Sequence, residues 1–322
     1  MPMKGTPDMK RSAASRHRAV LTGRSWLTWT AIAATAVIAI AGSLLAVGSS
    51  AAAPPAARAA ATGKVTAIFA GSLVDIMEKA LGPEFTTSTG YQFEGFGGGS
   101  NEDAAAIKGK VRQADVFVSA SSSADKELEG AANGSWVSWY STFTSSNLVL
   151  GYDPKTKFGK QLAAGKPWYK VLTEPGILVG RTEPKADPKG KLTVEAVDAA
   201  AKKLHDPALA RALNRFGIFE ETSMLARLQA GQIDAGFFYV VEAKTAHVPT
   251  VPLTPVYKYA DYTVTLLNNA ENQEGSEALV SFLLSSKRKA VEKQYGLVPI
   301  KPEFSGDAAA VPSGLRSIVG AG

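Results

Sequence analysis

Residues 64–70, Lys-Val-Thr-Ala-Ile-Phe-Ala, form a short β-branched and apolar run. Gly71-Ser72 intervenes, and Leu73, Ile76, Met77, Ala80 and Leu81 then recur at helical spacing. The pattern predicts a buried strand that turns straight into a helix ending near Gly82-Pro83. Ser72 with Asp75 three residues on fits capping spacing, which makes Ser72 the expected N-cap. A second corner of the same kind follows, with 91–96 as a strand, Gly97-Gly98-Gly99 as the turn, and a helix over 101–110 opened by Ser100 and Asp103. At such corners the free backbone N–H groups and the positive end of the helix dipole point the same way, so each suits an anion.

Further along, 114–120 reads as a third strand, and 133–144 is aromatic-rich, which predicts packing under a domain junction. Strands are expected over 148–152, 176–180, 233–241 and 262–267. Helices are expected over 194–204, 207–216, 224–230 and 276–294, the third opened by Glu221-Thr222-Ser223 and stopped by Gly231. Pro249, Pro252 and Pro255 mark a crossing segment, and the tail beyond Pro302 has little periodicity and is expected to wrap the surface. Alternating strands and helices predict an α/β protein built on mainly parallel sheets, in which ligands bind at the carboxyl ends of strands.

A formal charge of +6 suggests nucleic acid or membrane as a partner, but its distribution removes that reading. Residues 1–62 carry seven Lys or Arg and one Asp, which leaves 28 basic and 28 acidic residues in the remainder. Lys10 to Arg24 form a basic region, 31–47 is uncharged, and an Ala-Pro-rich stretch with A-x-A options follows. That is the layout of an export signal, cleaved between Ala51 and Ala61, or of an uncleaved N-terminal membrane anchor. Either way the main body is expected outside the cytoplasm. The absence of cysteine excludes disulfides, thiolate metal sites and a lipid-modified cysteine.

Enzyme motifs are sparse. The fragment 159–166 has five residues between its glycines and a proline after the lysine, so it is not a phosphate loop. No G-x-S-x-G elbow occurs. S-x-x-K appears at Ser123 to Lys126 and at Ser286 to Lys289, the signature a secreted serine hydrolase would need, but neither S-D-N nor K-T-G completes it. His205 and His247 stand apart from any metal-binding spacing.

The assembled motifs resemble the type II periplasmic solute-binding proteins, and among them the molybdate/tungstate-binding branch. The resemblance rests on Ala70-Gly71-Ser72-Leu73, Gly99-Ser100, the run Ala114 to Ala120, Asp187-Pro188-x-Gly190, Glu221-Thr222 and Asp234-x-Gly236-Phe237-x-Tyr239. It implies two α/β lobes, 63–145 plus 253–322 and 146–252, each with a mainly parallel sheet flanked by helices and joined by two crossing strands. By position it also implies an oxyanion site. Ser72 and Ser100 would give hydroxyl and backbone donors, Lys189 or its neighbour a backbone N–H, and Tyr239 a phenolic hydroxyl.

Asp187 and Glu221 would bond directly to the central Mo or W atom, raising its coordination from four to six. Otherwise Asp187 makes only an Asp-Pro turn and Glu221 only a favourable charge at a helix start. The chain departs from the branch at Lys191, where an aromatic and an Arg usually follow the turn, and at Ala120-Ser121-Ser122, where an acidic residue often follows Ala. The expected partners are a small oxyanion and the permease of an ABC importer, with no nucleic acid, no cofactor besides the ligand, membrane contact only through leader or permease, and a monomeric state. Sulfate, phosphate or an organic anion is the alternative cargo. A membrane-anchored sensing module with no transported ligand is a further alternative.

Overall fold

The computed structural model of the protein describes residues 63–322, and the leader expectations over 1–62 lie outside the described residues. Ten strands pair in the order β2-β1-β3-β9-β4-β7-β5-β6, with β10 and β8 both on β4. β1 (Lys64–Ala70), β2 (Gln92–Gly98), β3 (Val116–Ser119), β9 (Tyr259–Leu266) and β10 (Val298–Gly306) gather around the first half of β4 (Trp139–Tyr152). β5 (Val179–Thr182), β6 (Gly217–Phe219), β7 (Ala235–Tyr239) and β8 (Thr250–Pro252) gather around its second half. Each sheet is mixed. The strands joined by helical crossovers are parallel, β1 to β2 and β3 in one sheet and β5 to β6 and β7 in the other. The crossing strands β4 and β9 add the antiparallel pairs.

The later part of the aromatic run, from Trp139 on, therefore belongs to the first half of one 14-residue strand, with Trp139 and Phe143 buried on it, while Trp136 precedes the strand. The core is continuous across both sheets, from Val65 and Phe69 through Trp139 and Leu150 to Phe237. Each fully buried phenylalanine of this kind contributes about 2–3 kcal/mol of apolar burial.

Several local expectations are corrected. The first helix does not stop at Gly82-Pro83. A π-helical turn over Met77–Leu81 leads into a helix over Gly82–Thr89 that begins with the proline in its first turn. The widened turn accommodates a residue that has no N–H to donate and whose ring crowds the preceding turn. Ser72 is not an N-cap: Gly71–Leu73 is a 3-10 turn with no side-chain cap. Ser100 is the first residue of its own helix, Ser100–Lys108, whose N-cap is Gly99. The 276–294 pattern is broken into Gln273–Leu284 and Arg288–Gln294. The first four residues past Pro302 complete β10, which pairs antiparallel with β4 across a register shift between Pro299 and Glu303, and a 3-10 turn (Ala308–Ala310) and a short helix (Arg316–Val319) follow it. Prolines at 299 and 302 hid this strand, since each removes a ladder donor and is tolerated only at such irregular edges.

Among the described residues no helix is long and apolar enough to cross a membrane.

Candidate functional site

The two glycine–serine corners lie side by side because β1 and β2 are parallel neighbours in register, with Ala70 opposite Gly98. Both strands end at the same edge, and both helical segments start there. The Ser72 Oγ lies 2.9 Å from the Tyr262 Oη of β9, and the Ser100 Oγ accepts the Ala120 N–H at 3.0 Å. Both hydroxyls are buried and already oriented by neighbours from the same sheet.

The second sheet brings three helix starts to the opposing edge. β5, β6 and β7 are parallel and adjacent, so the segments after them emerge together. After β5, Asp187 caps the Pro188–Lys203 helix, its Oδ1 accepting the Lys189 N–H at 3.1 Å. Eight residues of that helix, including Lys189 and Gly190 in its first turn, are buried. After β6, Glu221 opens the Glu221–Gln229 helix. After β7, the Val240–Thr245 helix begins directly behind Tyr239. The backbone N–H expected from Lys189 is thus taken by Asp187. The lysine side chain is fully buried.

Contacts join the two edges. The Glu102 N–H donates to the Ala186 carbonyl at 3.0 Å, and the Asn101 side-chain amide to the Lys185 carbonyl at 3.2 Å. Two glycines permit this approach. A Cβ on Gly99 would stand 2.6 Å from the Ala186 carbonyl oxygen and 3.3 Å from the Asp187 Cβ. A Cβ on Gly71 would stand 1.6 Å from the Glu221 Oε2. Each corner of the first sheet therefore faces one carboxylate of the second. Across the middle, the Tyr239 and Tyr262 rings meet edge to face at 6.1 Å.

The Lys189 Nζ donates to the Glu221 Oε1 at 2.9 Å and to the Glu242 Oε1 at 2.7 Å. The other oxygen of Glu242 accepts the Tyr239 N–H at 2.8 Å. Burial alone would lower the lysine's pKa, but Glu221, Glu242 and Asp187 outweigh it and hold the ammonium above its ordinary value. Burial pushes the Glu221 carboxyl up to about 8 against the pull of Lys189, with Glu242 and Asp187 adding to the rise. Asp187 and Glu242 are raised by burial in the same way. One ammonium cannot fully compensate three carboxylates withdrawn from water.

Among the described residues, the buried polar atoms without a hydrogen-bond partner include three at this edge, the Thr182 Oγ1, the Asp187 Oδ2 and the Tyr239 Oη. Buried groups of this kind are usually satisfied, so orphans clustered on neighbouring segments of the second sheet mark a place built for something else. A cavity of about 220 Å³ opens beside Asp187 and Thr182, lined also by Gly99, Phe219 and Glu221; Tyr239 is not among its lining residues. Among the described residues, no group of three or more His, Cys, Asp or Glu is arranged to hold a metal ion. The two S-x-x-K matches lie elsewhere, with Ser123, Lys126, Ser286 and Lys289 all exposed.

All six residues expected at the site, Ser72, Ser100, Asp187, Lys189, Glu221 and Tyr239, thus lie at the two facing edges. Sequence reasoning missed Glu242 and Tyr262. Glu242 sits three residues after Tyr239, at the spacing of a helix-start acid, and that was its only signal. Tyr262 had none beyond strand alternation.

Comparison with known proteins agrees with this architecture. The family model for bacterial extracellular solute-binding proteins matches residues 65–298. A provisionally named ABC transporter molybdenum-binding protein of Haloferax volcanii is 33% identical over 198 residues, spanning 61% of this chain and 62% of that relative. The periplasmic molybdate-binding protein of Azotobacter vinelandii superposes with a TM-score of 0.59 at 18% identity, covering 73% of this chain and 98% of that one. The sulfate-binding protein SubI of Mycobacterium tuberculosis superposes with a TM-score of 0.59 at 16% identity, covering 80% and 92%. The fold is that of the two-lobed periplasmic binding proteins, and the chain belongs to the bacterial extracellular solute-binding protein family.

Proposed function

We propose that the protein is an extracytoplasmic receptor that captures molybdate or tungstate and delivers it to the permease of an ABC importer. The observation that carries this reading is the buried Asp187 Oδ2 and Tyr239 Oη, left without partners on the second sheet, together with the close approach of Asp187 to the Gly99 corner and of Glu221 to the Gly71 corner. A tetrahedral dianion withdrawn from water needs several preorganised donors, and buried cations are not required for that. The corners at Ser72 and Ser100 supply backbone and hydroxyl dipoles, and Tyr239 a phenolic O–H. Two carboxylates in the same space would repel a sulfate or phosphate. Molybdenum and tungsten accept further oxygen ligands, and Asp187 and Glu221 serve as those ligands in this reading. The relative from Haloferax and the neighbour from Azotobacter, by the cargo in their names, support the same choice.

Capture is a hinge closure of lobe 146–252 onto lobe 63–145 plus 253–322, about β4 and the 253–258 crossing. The Glu102 to Ala186 hydrogen bond is then part of the closed form that the permease recognises.

Calorimetric titration of the purified protein with molybdate, tungstate, sulfate and phosphate tests the proposal. Tight binding of the first two, and loss of that binding in the Asp187→Ala, Glu221→Ala double variant, is expected. A second reading, a sulfate receptor, draws on the SubI neighbour. Sulfur takes no carboxylate ligands, so sulfate binding that survives or improves in the double variant would favour it.

A further inference from the structure

We infer that Lys189 and Glu242 form a dedicated charge-setting pair, in which Lys189 positions Glu221 against the Gly71 corner and Glu242 holds Lys189 in place. The inference rests on the oxyanion reading above and deepens it by naming the residues that fix how negative the site is when a dianion arrives.

Three helices begin at the carboxyl ends of β5, β6 and β7, and the lysine belongs to the first, Glu221 to the second and Glu242 to the third. A single ammonium therefore ties three neighbouring helix starts, with no side chain or backbone group of the first sheet among its hydrogen-bond partners. It also lies 5.6 Å from the Phe238 ring and 5.8 Å from that of Tyr239, so its aliphatic and aromatic surroundings keep water away from the pair.

The two glutamates stand differently toward the cavity. Both oxygens of Glu242 are engaged, one by the Lys189 Nζ and one by the Tyr239 N–H. It has none left for a ligand and acts as an anchor. Glu221 gives its Oε1 to Lys189, and its Oε2 is the atom that lies against Gly71. Lys189 thus decides which Glu221 oxygen faces the first sheet. With Asp187 the group holds three carboxylates and one ammonium. Deleting the ammonium removes a positive charge from beside Glu221, and neutralising Glu242 removes a carboxylate from the same cluster.

Opposite charge changes must move dianion affinity in opposite directions, which a merely structural pair would not do. Lys189→Met, Glu242→Gln and the double variant are titrated with tungstate beside the wild-type protein, each checked for a cooperative melt. Lys189→Met is expected to bind about tenfold more weakly or worse, and Glu242→Gln severalfold more tightly. The double variant, with its net charge restored but Glu221 no longer held, is expected to bind more tightly than Lys189→Met and more weakly than wild type.

Weaker binding by Glu242→Gln with its fold intact, or unchanged affinity in every variant, overturns the inference. If Lys189→Met does not melt cooperatively, Glu242→Gln and the double variant decide. Wild-type protein that binds none of the oxyanions sinks the functional reading together with this one. Wild-type binding without the gain in Glu242→Gln sinks this one alone.

Discussion

Gly71→Ala is the most direct probe of the way the two edges meet. Gly71 is not in the left-handed region, so alanine is conformationally acceptable there, and restricting the unfolded chain would by itself stabilise by about 0.5 kcal/mol. The contact is the obstacle. The new methyl would lie 1.6 Å from the Glu221 Oε2 and 2.5 Å from its Cδ. Ordinary van der Waals separation is about 3.4 Å or more, so Glu221 must retreat by roughly 1.8 Å or the first-sheet corner must back away. A retreat breaks the 2.9 Å bond to Lys189 inside a dry pocket, at a cost on the order of 3 kcal/mol. Backing away penalises closure by a comparable amount.

The first outcome appears as a melting temperature lower by roughly 6–12 °C, and the second as about 100-fold weaker ligand binding. Scanning calorimetry and ligand titration on wild type, Gly71→Ala, Glu221→Ala and the double variant measure both. In the Glu221→Ala background the methyl meets no carboxylate, and Gly71→Ala should cost less than about 0.5 kcal/mol there. An equal cost in both backgrounds, or none in either, would refute the contact.

Tyr262→Phe removes the hydroxyl that holds Ser72 and should destabilise the protein by about 1 kcal/mol, a fall in melting temperature of roughly 2–4 °C, while weakening oxyanion binding; an unchanged melt and affinity would show that the Ser72 hydroxyl needs no second holder. Stability should also fall as pH rises. Burial lifts Asp103 and Asp125 from 3.8 to about 7 and Glu221 from 4.5 to about 8. Each is raised above its unfolded value, so its contribution is complete below about pH 4 and is lost as pH climbs through 7 to 8. The melting temperature should therefore decline from pH 5 to pH 8, less steeply in Asp125→Asn, and a rise over that window would contradict the assignment. Glu94, Glu174 and Asp206 are lowered by hydrogen bonds from exposed lysines, and their contribution changes only on the acid side of that window.

Much of the site was legible because its signals are local. A β-branched run, a glycine–serine pair and a helical repeat within 18 residues define the corner at Ser72, and the second corner repeats the pattern. What each serine does was not legible. The hydroxyl of Ser72 bonds Tyr262, 190 residues away, and that of Ser100 bonds a strand end rather than its own helix. Lys189 is the clearest failure. Lysine is seldom fully buried, and its partners lie 32 and 53 residues further on, so only tertiary structure reveals that the turn's middle residue points inward. The same holds for β10, where short-range proline signals argue against a strand that pairing with β4 nevertheless imposes.

The course of β4 bears on how the site could open. Where the strand passes between sheets, the Ser146 Oγ accepts the Val241 N–H at 3.2 Å, two residues beyond Tyr239, and Tyr239 itself pairs with Leu148. That crossover is riveted to the very backbone bearing the phenol. Swivelling there would drag the tyrosine along as a lever arm, so in the proposed oxyanion receptor opening retracts the aromatic donor in the same stroke that parts the two halves.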